Sequence, residues 1–484
     1  MISRRRVLAG LGAATVLGYN PLLGTWVSVA RAASPLDPVP PLDGMLLTDP
    51  ASLAPYSNDV GQIIHETPVA VLLPGSVRDI ATMVRFCRKR RIKVAARGQG
   101  HTTFGQSQAE GGLIVDMGTL KQIHSVGPTS TEVDAGLTWK ELLETVVPEG
   151  LTPPVLTGFT GLSIAGTLSV GGISSTNVEG AQVDRVRELE VVTGAGDVVR
   201  CSANRERDLF ESLLGGLGQC GIITKAVVDL VPALPQARVF LLNYTDNATF
   251  FRDFRSLLNR GEFDRLFNIW FPNPSGGFIY QLNAVKYFSP AAPPNDAQLL
   301  RGLGFTPPAS ITDSSYLDHV LNVDVLVDFL KAAGLWEGFQ RPWFDVFLSN
   351  AVVERFVGEV LPTLTPEDQG PTGFLLLFAQ KRSKLTRPFL RVPSNTDWVF
   401  LFDILTAAAT PGSNPAFVER MLRRNRELFE RARRVGGTRY PISAIEFNRG
   451  DWVRHYGDQW PRLVQLKHRY DPAGILAPGP GIFG

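Results

Sequence analysis

The sequence predicts an α+β fold with at least two domains. At 484 residues the chain is too long for one ordinary hydrophobic core. From about residue 65 to 230, short β-branched runs alternate with helical patterns. From about 235 to 435, longer apolar runs alternate with helices, as expected for a sheet covered by helices. These observations predict a mixed first domain and a second domain built around a sheet.

The elements of the first domain follow from local signals. The apolar run Ala70–Leu73 predicts a strand, and Ser76 is a typical N-cap for a helix over Val77–Arg90. A strand beginning at Ile92 then leads into a glycine-rich loop. Further strands are predicted at 112–116 and 189–193. These elements together predict an α+β domain.

The second domain shows the same alternation on a larger scale. Strand-like runs are predicted at 374–378 and 398–404, and a helix at 414–434. The region carries no local chemical pattern. A charged and aromatic stretch from 451 to 470 predicts a further helix near the end of the chain.

The loop at 95–106 places His101 among glycines, directly after a predicted strand. Glycines tolerate positive φ and allow close backbone approach. A turn of this kind can wrap a diphosphate and press His101 against a ring system. The alternative is a glycine turn with an exposed histidine.

Composition excludes several classes of function. The net charge is +2, and hydrophobic residues make up 44% of the chain, which is typical of a globular protein and not of a nucleic-acid binder. One basic run, 85–91, lies in a predicted helix end. The 3 cysteines are odd in number and far apart, so neither a disulfide framework nor a thiolate metal site is expected. The 6 histidines show no ligand spacing, and no bound metal is predicted.

The first 33 residues predict a twin-arginine export signal. Arg4, Arg5 and Arg6 precede a short apolar segment and the small-residue site around Ala30 to Ala33. Glycine, asparagine and proline interrupt the apolar segment, so no stable membrane insertion is expected. A retained membrane anchor is the alternative. Residues 34–60 are predicted as an extended lead-in after cleavage, and the mature protein is expected outside the cytoplasm, in the periplasm or medium.

The run 216–221 matches a GxGxxG dinucleotide pattern, but its context does not fit. A Rossmann fingerprint follows a strand and opens a helix. Here a helical pattern at 207–214 comes first and a strand at 222–226 follows. A nicotinamide site at this run is therefore not predicted.

Four stretches resemble, in the same order, flavoproteins of the vanillyl-alcohol-oxidase superfamily with a PCMH-type FAD-binding domain. They are the loop 95–106, the small-residue run 157–174, the segment 208–224 and the tail 470–483. The likeness is greatest to cytokinin dehydrogenase-like and berberine-bridge-enzyme-like proteins, and 341–347 resembles a strand of the cytokinin dehydrogenase cap. The resemblance implies two α/β subdomains at 61–234, an antiparallel cap sheet covered by helices at 235–440, and a segment at 441–484 that returns to the FAD domain.

The resemblance also implies roles for individual residues. His101 would bond the flavin methyl group covalently. The run 157–174, called the second loop below, contains no cysteine that could form a second bond to the flavin. The other positions implied to surround FAD are Ala96, Gly98, Gly100, Thr102, Gln106, Gly158, Ser163, Gly166, Ser169, Gly172, Ile173 and Ile223.

The substrate-facing positions depart from the family pattern. Cytokinin dehydrogenases carry an aspartate in the second loop that accepts a proton from the amine, and Gly158 occupies that position here. Pro480 replaces an amide side chain of the relatives. Glu446 is the first candidate for a replacement base, with a surface glutamate as the alternative, and Asp134 and Tyr440 are weaker candidates.

Three functions follow as expectations. The first is an exported FAD-dependent oxidoreductase that removes a hydride from a small organic amine or alcohol. The second is a berberine-bridge-like oxidase of carbohydrates or natural products, and the third is a flavin-binding protein without turnover. Either molecular oxygen or a quinone could serve as electron acceptor, and the sequence does not choose between them.

Overall fold

The computed structural model describes residues 18–21, 25–27 and 37–483. The strands, in chain order, are β1 (Gly18–Asn20), β2 (Thr25–Val27), β3 (Asp37–Pro38), β4 (Met45–Leu47), β5 (Ala70–Leu73), β6 (Val94–Arg97), β7 (Leu113–Asp116), β8 (Ile123–Val126), β9 (Ser130–Asp134), β10 (Leu151–Thr152), β11 (Val186–Thr193), β12 (Val198–Ser202), β13 (Gly221–Asp229), β14 (Val231–Pro232), β15 (Gln236–Tyr244), β16 (Arg265–Pro272), β17 (Phe278–Phe288), β18 (Thr306–Ser315), β19 (Phe344–Ser349), β20 (Phe374–Lys381), β21 (Trp398–Leu405) and β22 (Thr438–Arg439).

Helices connect and cover these strands. They are α1 (Pro50–Leu53), α2 (Val77–Arg90), α3 (Trp139–Val146), α4 (Ile164–Val170), α5 (Arg207–Leu213), α6 (Asn247–Arg260), α7 (Asp296–Leu299), α8 (Tyr316–Val320), α9 (Asn322–Ala332), α10 (Asn350–Val360), α11 (Pro366–Gln369), α12 (Pro415–Arg434), α13 (Arg449–Tyr456) and α14 (Trp460–Tyr470). Ser76 caps α2 through a hydrogen bond from the Asp79 backbone, which confirms the predicted N-cap.

The first sheet has the order β4-β5-β7-β6, and its last three strands are parallel. Strand β4 joins it antiparallel to β5. The expectation of an extended lead-in over 34–60 is therefore wrong for this part of it, because β4 and α1 belong to the folded domain. Parallel strands place their carboxyl ends at one edge, and the glycine loop leaves the sheet there, after β6.

The second sheet is antiparallel, in the order β12-β11-β13-β9-β8. Helix α5 precedes the glycine run 216–221 and β13 follows it, so the order of elements excludes a Rossmann fingerprint, as predicted. The two sheets correspond to the two predicted α/β subdomains.

The second domain is built on an eight-stranded antiparallel sheet in the order β18-β15-β17-β16-β20-β21-β19-β22. Successive residues of a strand face opposite sides. On β21, Phe400 and Phe402 pack into the core beneath α6, α10 and α12, whereas Leu401 and Asp403 face a cavity above the first domain. The predicted α+β fold with a helix-covered antiparallel cap sheet is confirmed.

The C-terminal segment packs on the first domain. The Val94 amide donates to the Ile475 carbonyl at 2.8 Å, and the Ala477 amide donates to the Val94 carbonyl at 2.9 Å. Trp452 and Leu463 are buried in the same core as the first two sheets. The single helix predicted over 451–470 is two helices, because α13 ends at Gly457 with φ +53°.

Part of the predicted export signal is described. Strands β1, β2 and β3 form a small sheet, and Trp26 stacks on Phe86 of α2 at 5.2 Å between ring centroids. The arginines at 4–6 and the predicted cleavage site lie outside the described residues. Among the residues that the structure describes, no helix is both long and apolar enough to cross a bilayer.

Candidate active site

A cavity of about 460 Å³ lies between the first domain and the cap sheet. This volume is in the range of small-molecule and cofactor sites. Loops of the first domain and of the C-terminal segment form one wall. The cap sheet forms the other with mostly apolar side chains, namely Phe267, Ile269, Phe374, Leu376, Phe378, Leu401 and Leu405.

All thirteen residues that the resemblance implied for the cofactor lie along this one cavity. They are Ala96, Gly98, Gly100, His101, Thr102, Gln106, Gly158, Ser163, Gly166, Ser169, Gly172, Ile173 and Ile223. They come from the loop after β6, the second loop with α4, and β13. The fold thus brings three distant stretches of sequence to one surface.

The glycine loop makes a close backbone contact with the second loop. A Cβ atom on Gly98 would lie 2.0 Å from the Ser163 Oγ atom, which only glycine avoids. Ser163 precedes α4, and its hydroxyl makes no capping hydrogen bond. The Ser163 hydroxyl is therefore left without a capping partner on the cavity wall.

Asp59 holds the glycine loop from behind. Its carboxylate accepts hydrogen bonds from the Thr102 hydroxyl and the Gly105 amide, both at 2.8 Å, and from the Gly61 amide at 3.0 Å. Burial raises the pKa of Asp59 to about 6, against these hydrogen bonds and the nearby charge of Arg97. The sequence analysis did not single out Asp59, since only the folded chain brings it to the loop.

Gln106 and its neighbour Thr103 fasten the loop to the C-terminal segment. The Gln106 side-chain amide donates to the Pro441 carbonyl at 3.0 Å, and the Thr103 hydroxyl donates to the Ile442 carbonyl. Gln106 is thus a positioning residue for the loop as well as a residue of the cavity wall.

His101 is half-buried in an aromatic enclosure. Its ring centroid lies 5.3 Å from that of Phe159, 5.4 Å from that of Trp343 and 6.1 Å from that of Trp336. Burial, together with the charges of Arg341 and Lys331, lowers the pKa of His101 to about 3. The imidazole is neutral at physiological pH, and one ring nitrogen keeps a free lone pair.

The second loop is tightly packed at one end and open at the other. A Cβ atom on Gly172 would lie 2.2 Å from the Gln182 Oε1 atom, and the Gly172 amide donates to the Tyr440 hydroxyl at 3.2 Å. A Cβ atom on Gly158, by contrast, would meet no atom within 4 Å. The side of the cavity next to Gly158 therefore has unfilled space.

Comparison with known proteins accounts for this architecture. A family model described as an FAD binding domain matches residues 68–202, and one described as cytokinin dehydrogenase 1, FAD and cytokinin binding, matches residues 239–483. The uncharacterized oxidoreductase ORF5 in the fasciation locus of Rhodococcoides fascians is 34% identical over 90% of this chain and 99% of its own length. The chain belongs to the cytokinin dehydrogenase family. It is an FAD-dependent oxidoreductase.

Plant members of the family show similar values. Cytokinin dehydrogenase 6 of Oryza sativa subsp. japonica is 31% identical over 90% of this chain and 91% of its own length. Cytokinin dehydrogenase 1 of Arabidopsis thaliana is 31% identical over 88% of this chain and 80% of its own length. The likeness thus extends over both domains.

The residues present in this cytokinin dehydrogenase family member fit FAD. Gly98 and Gly172, called the glycine cradle below, both line the cavity and are packed too closely against Ser163 and Gln182 for any side chain, so only backbone faces a ligand there. His101 lies next to this cradle in an apolar enclosure suited to a ring system. Among the described residues no group of three His, Cys, Asp or Glu side chains could hold a metal ion.

Of the three candidates for a replacement base, only Tyr440 lines the cavity. Glu446 is exposed and does not line the cavity, so it is wrong as a base in this site. Asp134 also lies outside the cavity and contacts the His124 ring nitrogen at 2.6 Å on the edge of the second sheet. Tyr440 lines the cavity, but burial raises its pKa, so its hydroxyl stays protonated.

Two cavity residues were missed by sequence reasoning. Asp345 and Asp403 lie on the cap strands β19 and β21, and both side chains line the cavity. The available signal was Asp403 itself, because it interrupts a strand that is otherwise wholly apolar. Such an aspartate is rarely buried without a partner.

Proposed function

We propose that this protein oxidises a small secondary amine of the N6-isoprenoid adenine class, with FAD bonded covalently to a ring nitrogen of His101. The observation that carries the proposal is the placement of His101. Its neutral ring lies beside the glycine cradle and against three aromatic side chains of the cavity, Phe159, Trp336 and Trp343.

Covalent attachment is supported by the chemistry of His101. A ring nitrogen can bond carbon only with its lone pair free, and the lowered pKa keeps that lone pair unprotonated. Trp336 stacks nearly parallel to the imidazole, at 13° between ring planes, which fixes the ring orientation. The other five histidines lie outside the resemblance to the flavin loop.

The bound FAD supplies the redox chemistry by accepting a hydride from the substrate. The chain's own residues position the substrate and exclude water. The cap wall offers Phe267, Leu376 and Phe378, which suit an isoprenoid chain and a planar purine. The same wall offers few partners for sugar hydroxyls, and this supports an amine over the carbohydrates of the berberine-bridge-like alternative.

Two further parts of the proposal concern location and electron acceptor. The arginines at 4–6 and the small residues at 30–33 support export by the twin-arginine route, in which proteins cross the membrane folded. Molecular oxygen or a quinone would serve as the electron acceptor. The names of the plant relatives support the cytokinin substrate class.

Anaerobic mixing of the holoprotein with candidate donors tests the proposal. We expect N6-isopentenyladenine to bleach the flavin absorbance, and glucose, cellobiose and a phenolic alcohol to leave it unchanged. Bleaching by the sugars or the phenol alone would favour the berberine-bridge-like alternative. A flavin that no donor in a broad panel bleaches would indicate a binding protein without turnover. Readmission of air or addition of a quinone then identifies the acceptor.

A further inference from the structure

Two buried carboxyl groups face each other in the wall of the cavity that the cap sheet forms. Asp345 on β19 and Asp403 on β21 are direct cross-strand partners in the antiparallel sheet. Their residues are each only 3% exposed, and the two carboxyl groups are within hydrogen-bonding reach of each other. The pair is therefore a single buried unit.

The surroundings of the pair are mostly apolar. Leu376 on β20 is the other cross-strand partner of Asp403, and Leu401 and Leu405 flank Asp403 on the same face of β21. The Asp345 Oδ2 and Asp403 Oδ1 atoms are fully buried and, apart from the contact between the two carboxyl groups, have no hydrogen-bond partner among the described residues. Buried oxygens of this kind are costly unless a proton satisfies them, which favours one proton shared within the pair.

The two aspartates have different charged and titratable neighbours. Burial raises the pKa of Asp345 to about 7, although the hydrogen bond from Asp403 and the charge of Arg439 on β22 lower it, whereas burial and the charge of Asp345 raise the pKa of Asp403 well above its usual range. Arg439 is itself buried and donates to the Ser443 hydroxyl at 3.0 Å. Tyr440, the next residue, has a pKa raised by burial and by both aspartates. Two carboxyl groups in contact cannot both ionise, so Asp403 keeps the proton and Asp345 carries the charge.

The pair lies close to the expected reaction centre. Trp343 contacts the His101 ring and precedes Asp345 by two residues on the same face. Two residues along a strand correspond to about 7 Å. Asp345 is thus one side-chain position beyond Trp343, and it lines the same cavity as Gly158.

We propose that the Asp345–Asp403 pair accepts the proton of the substrate, in the role that Gly158 cannot fill. This inference rests on the proposed function and adds its missing base. The substrate loses the proton of its N–H bond to Asp345 and a hydride from the adjacent C–H bond to oxidised FAD, so its C–N single bond becomes C=N. Asp403 donates its hydrogen bond to Asp345 and positions that carboxylate.

The substrate class follows from the same pair. A carboxylate in an apolar wall favours a ligand that presents an N–H donor, because hydrogen bonds to a charged acceptor are stronger than those to a neutral one. A secondary amine meets this requirement.

The first test compares Asp345→Asn and Asp403→Asn with the wild type and with Asp253→Asn. Asp253 is an equally buried aspartate of the cap that does not line the cavity. We expect Asp345→Asn to slow anaerobic flavin reduction by N6-isopentenyladenine by about 100-fold or more, with a smaller change in substrate affinity. Asp403→Asn should shift the acid limb of the pH profile to higher pH, because it weakens the hydrogen bond from Asp403 that lowers the pKa of Asp345. A wild-type rate and pH profile in Asp345→Asn would overturn the inference while leaving the proposed function intact.

A second measurement does not depend on turnover. The flavin is reduced beforehand with dithionite, so that added N6-isopentenyladenine binds without being oxidised, and infrared difference spectra report the carboxyl groups. We expect a carboxyl band that responds to the ligand in the wild type and Asp253→Asn and is lost in Asp403→Asn. A band that ignores the ligand would overturn the inference, even if Asp345→Asn fails to fold or no donor bleaches the flavin.

Discussion

Gly98 and Ser163 lie so close that a methyl group on Gly98 would come within 2.0 Å of the serine hydroxyl oxygen. The two residues belong to separate loops, one after β6 and one before α4. Their contact fixes the distance between the loops that line the first-domain wall of the cavity. A single methyl group added at Gly98 would therefore change the spacing of the two loops and test its importance for cofactor binding.

We expect Gly98→Ala to lower the FAD content of the purified protein, because the loop must move away from Ser163. Overpacking of this kind costs about 1–3 kcal/mol. The matched control is Gly158→Ala, since a Cβ atom at Gly158 meets nothing within 4 Å. The ratio of flavin to protein absorbance measures both variants. Equal FAD content in the two would contradict the role of the Gly98–Ser163 contact.

Replacement of His101 by alanine should abolish covalent flavin without emptying the site, because the glycine cradle remains. Acid precipitation should then release the flavin from His101→Ala and leave it on the wild type. Intact mass and flavin fluorescence on a denaturing gel distinguish the two states. The exposed His468 provides the control, as His468→Ala should keep the covalent bond. Release of flavin from the wild type would exclude the bond.

His455 makes the fold sensitive to acid. Its ring is buried among Phe447, Trp452 and Tyr456, and burial lowers its pKa to about 3. Below about pH 6.5 the His455 imidazole binds a proton in the unfolded chain but not in the folded chain. The free energy of unfolding therefore falls as the pH falls.

We therefore expect His455→Phe to gain about 2 kcal/mol relative to the wild type between pH 7 and pH 5. Buried carboxyl groups with raised pKa values change stability in the opposite direction, but they are common to both proteins and cancel in the difference. Denaturant melts at several pH values measure it. The exposed His468 provides the control, as His468→Asn should show the pH dependence of the wild type. If the free energy of unfolding of His455→Phe changed with pH just as that of the wild type does, the lowered pKa of His455 would be refuted.

A carboxylate introduced by Gly158→Asp should partly restore flavin reduction in the Asp345→Asn variant. The substitution has room, because the space around Gly158 is open and its φ is not positive. Stopped-flow reduction rates of the single and double variants measure the effect. Gly158→Ala in the same background is the control for volume alone. A double variant no faster than Asp345→Asn would indicate that a base at position 158 cannot reach the substrate.

Local signals were enough for much of the fold. Ser76 and the helix after it follow from side-chain chemistry within a few residues, and the apolar runs of β20 and β21 predict strands without knowledge of their neighbours. The resemblance could point to candidate cofactor residues because it covers contiguous loops. All of them lie along one cavity.

The base could not be found in the same way. Asp345 and Asp403 become partners only through the strand order β20-β21-β19-β22 and its register, which no local pattern specifies. Asp59 likewise reaches the glycine loop only in the folded chain. Glu446 was chosen by its position along the sequence, which does not tell which side of the backbone faces the cavity.

The hydrogen bonds between Val94 and the 475–477 segment have a consequence for truncated forms of the protein. Leu476, Ala477 and Pro480 line the cavity, so its wall is incomplete without this segment. Removal of the residues from Ile475 onward therefore opens the cavity beside β6. Retention of yellow colour after limited proteolysis thus reports whether this segment is intact and docked.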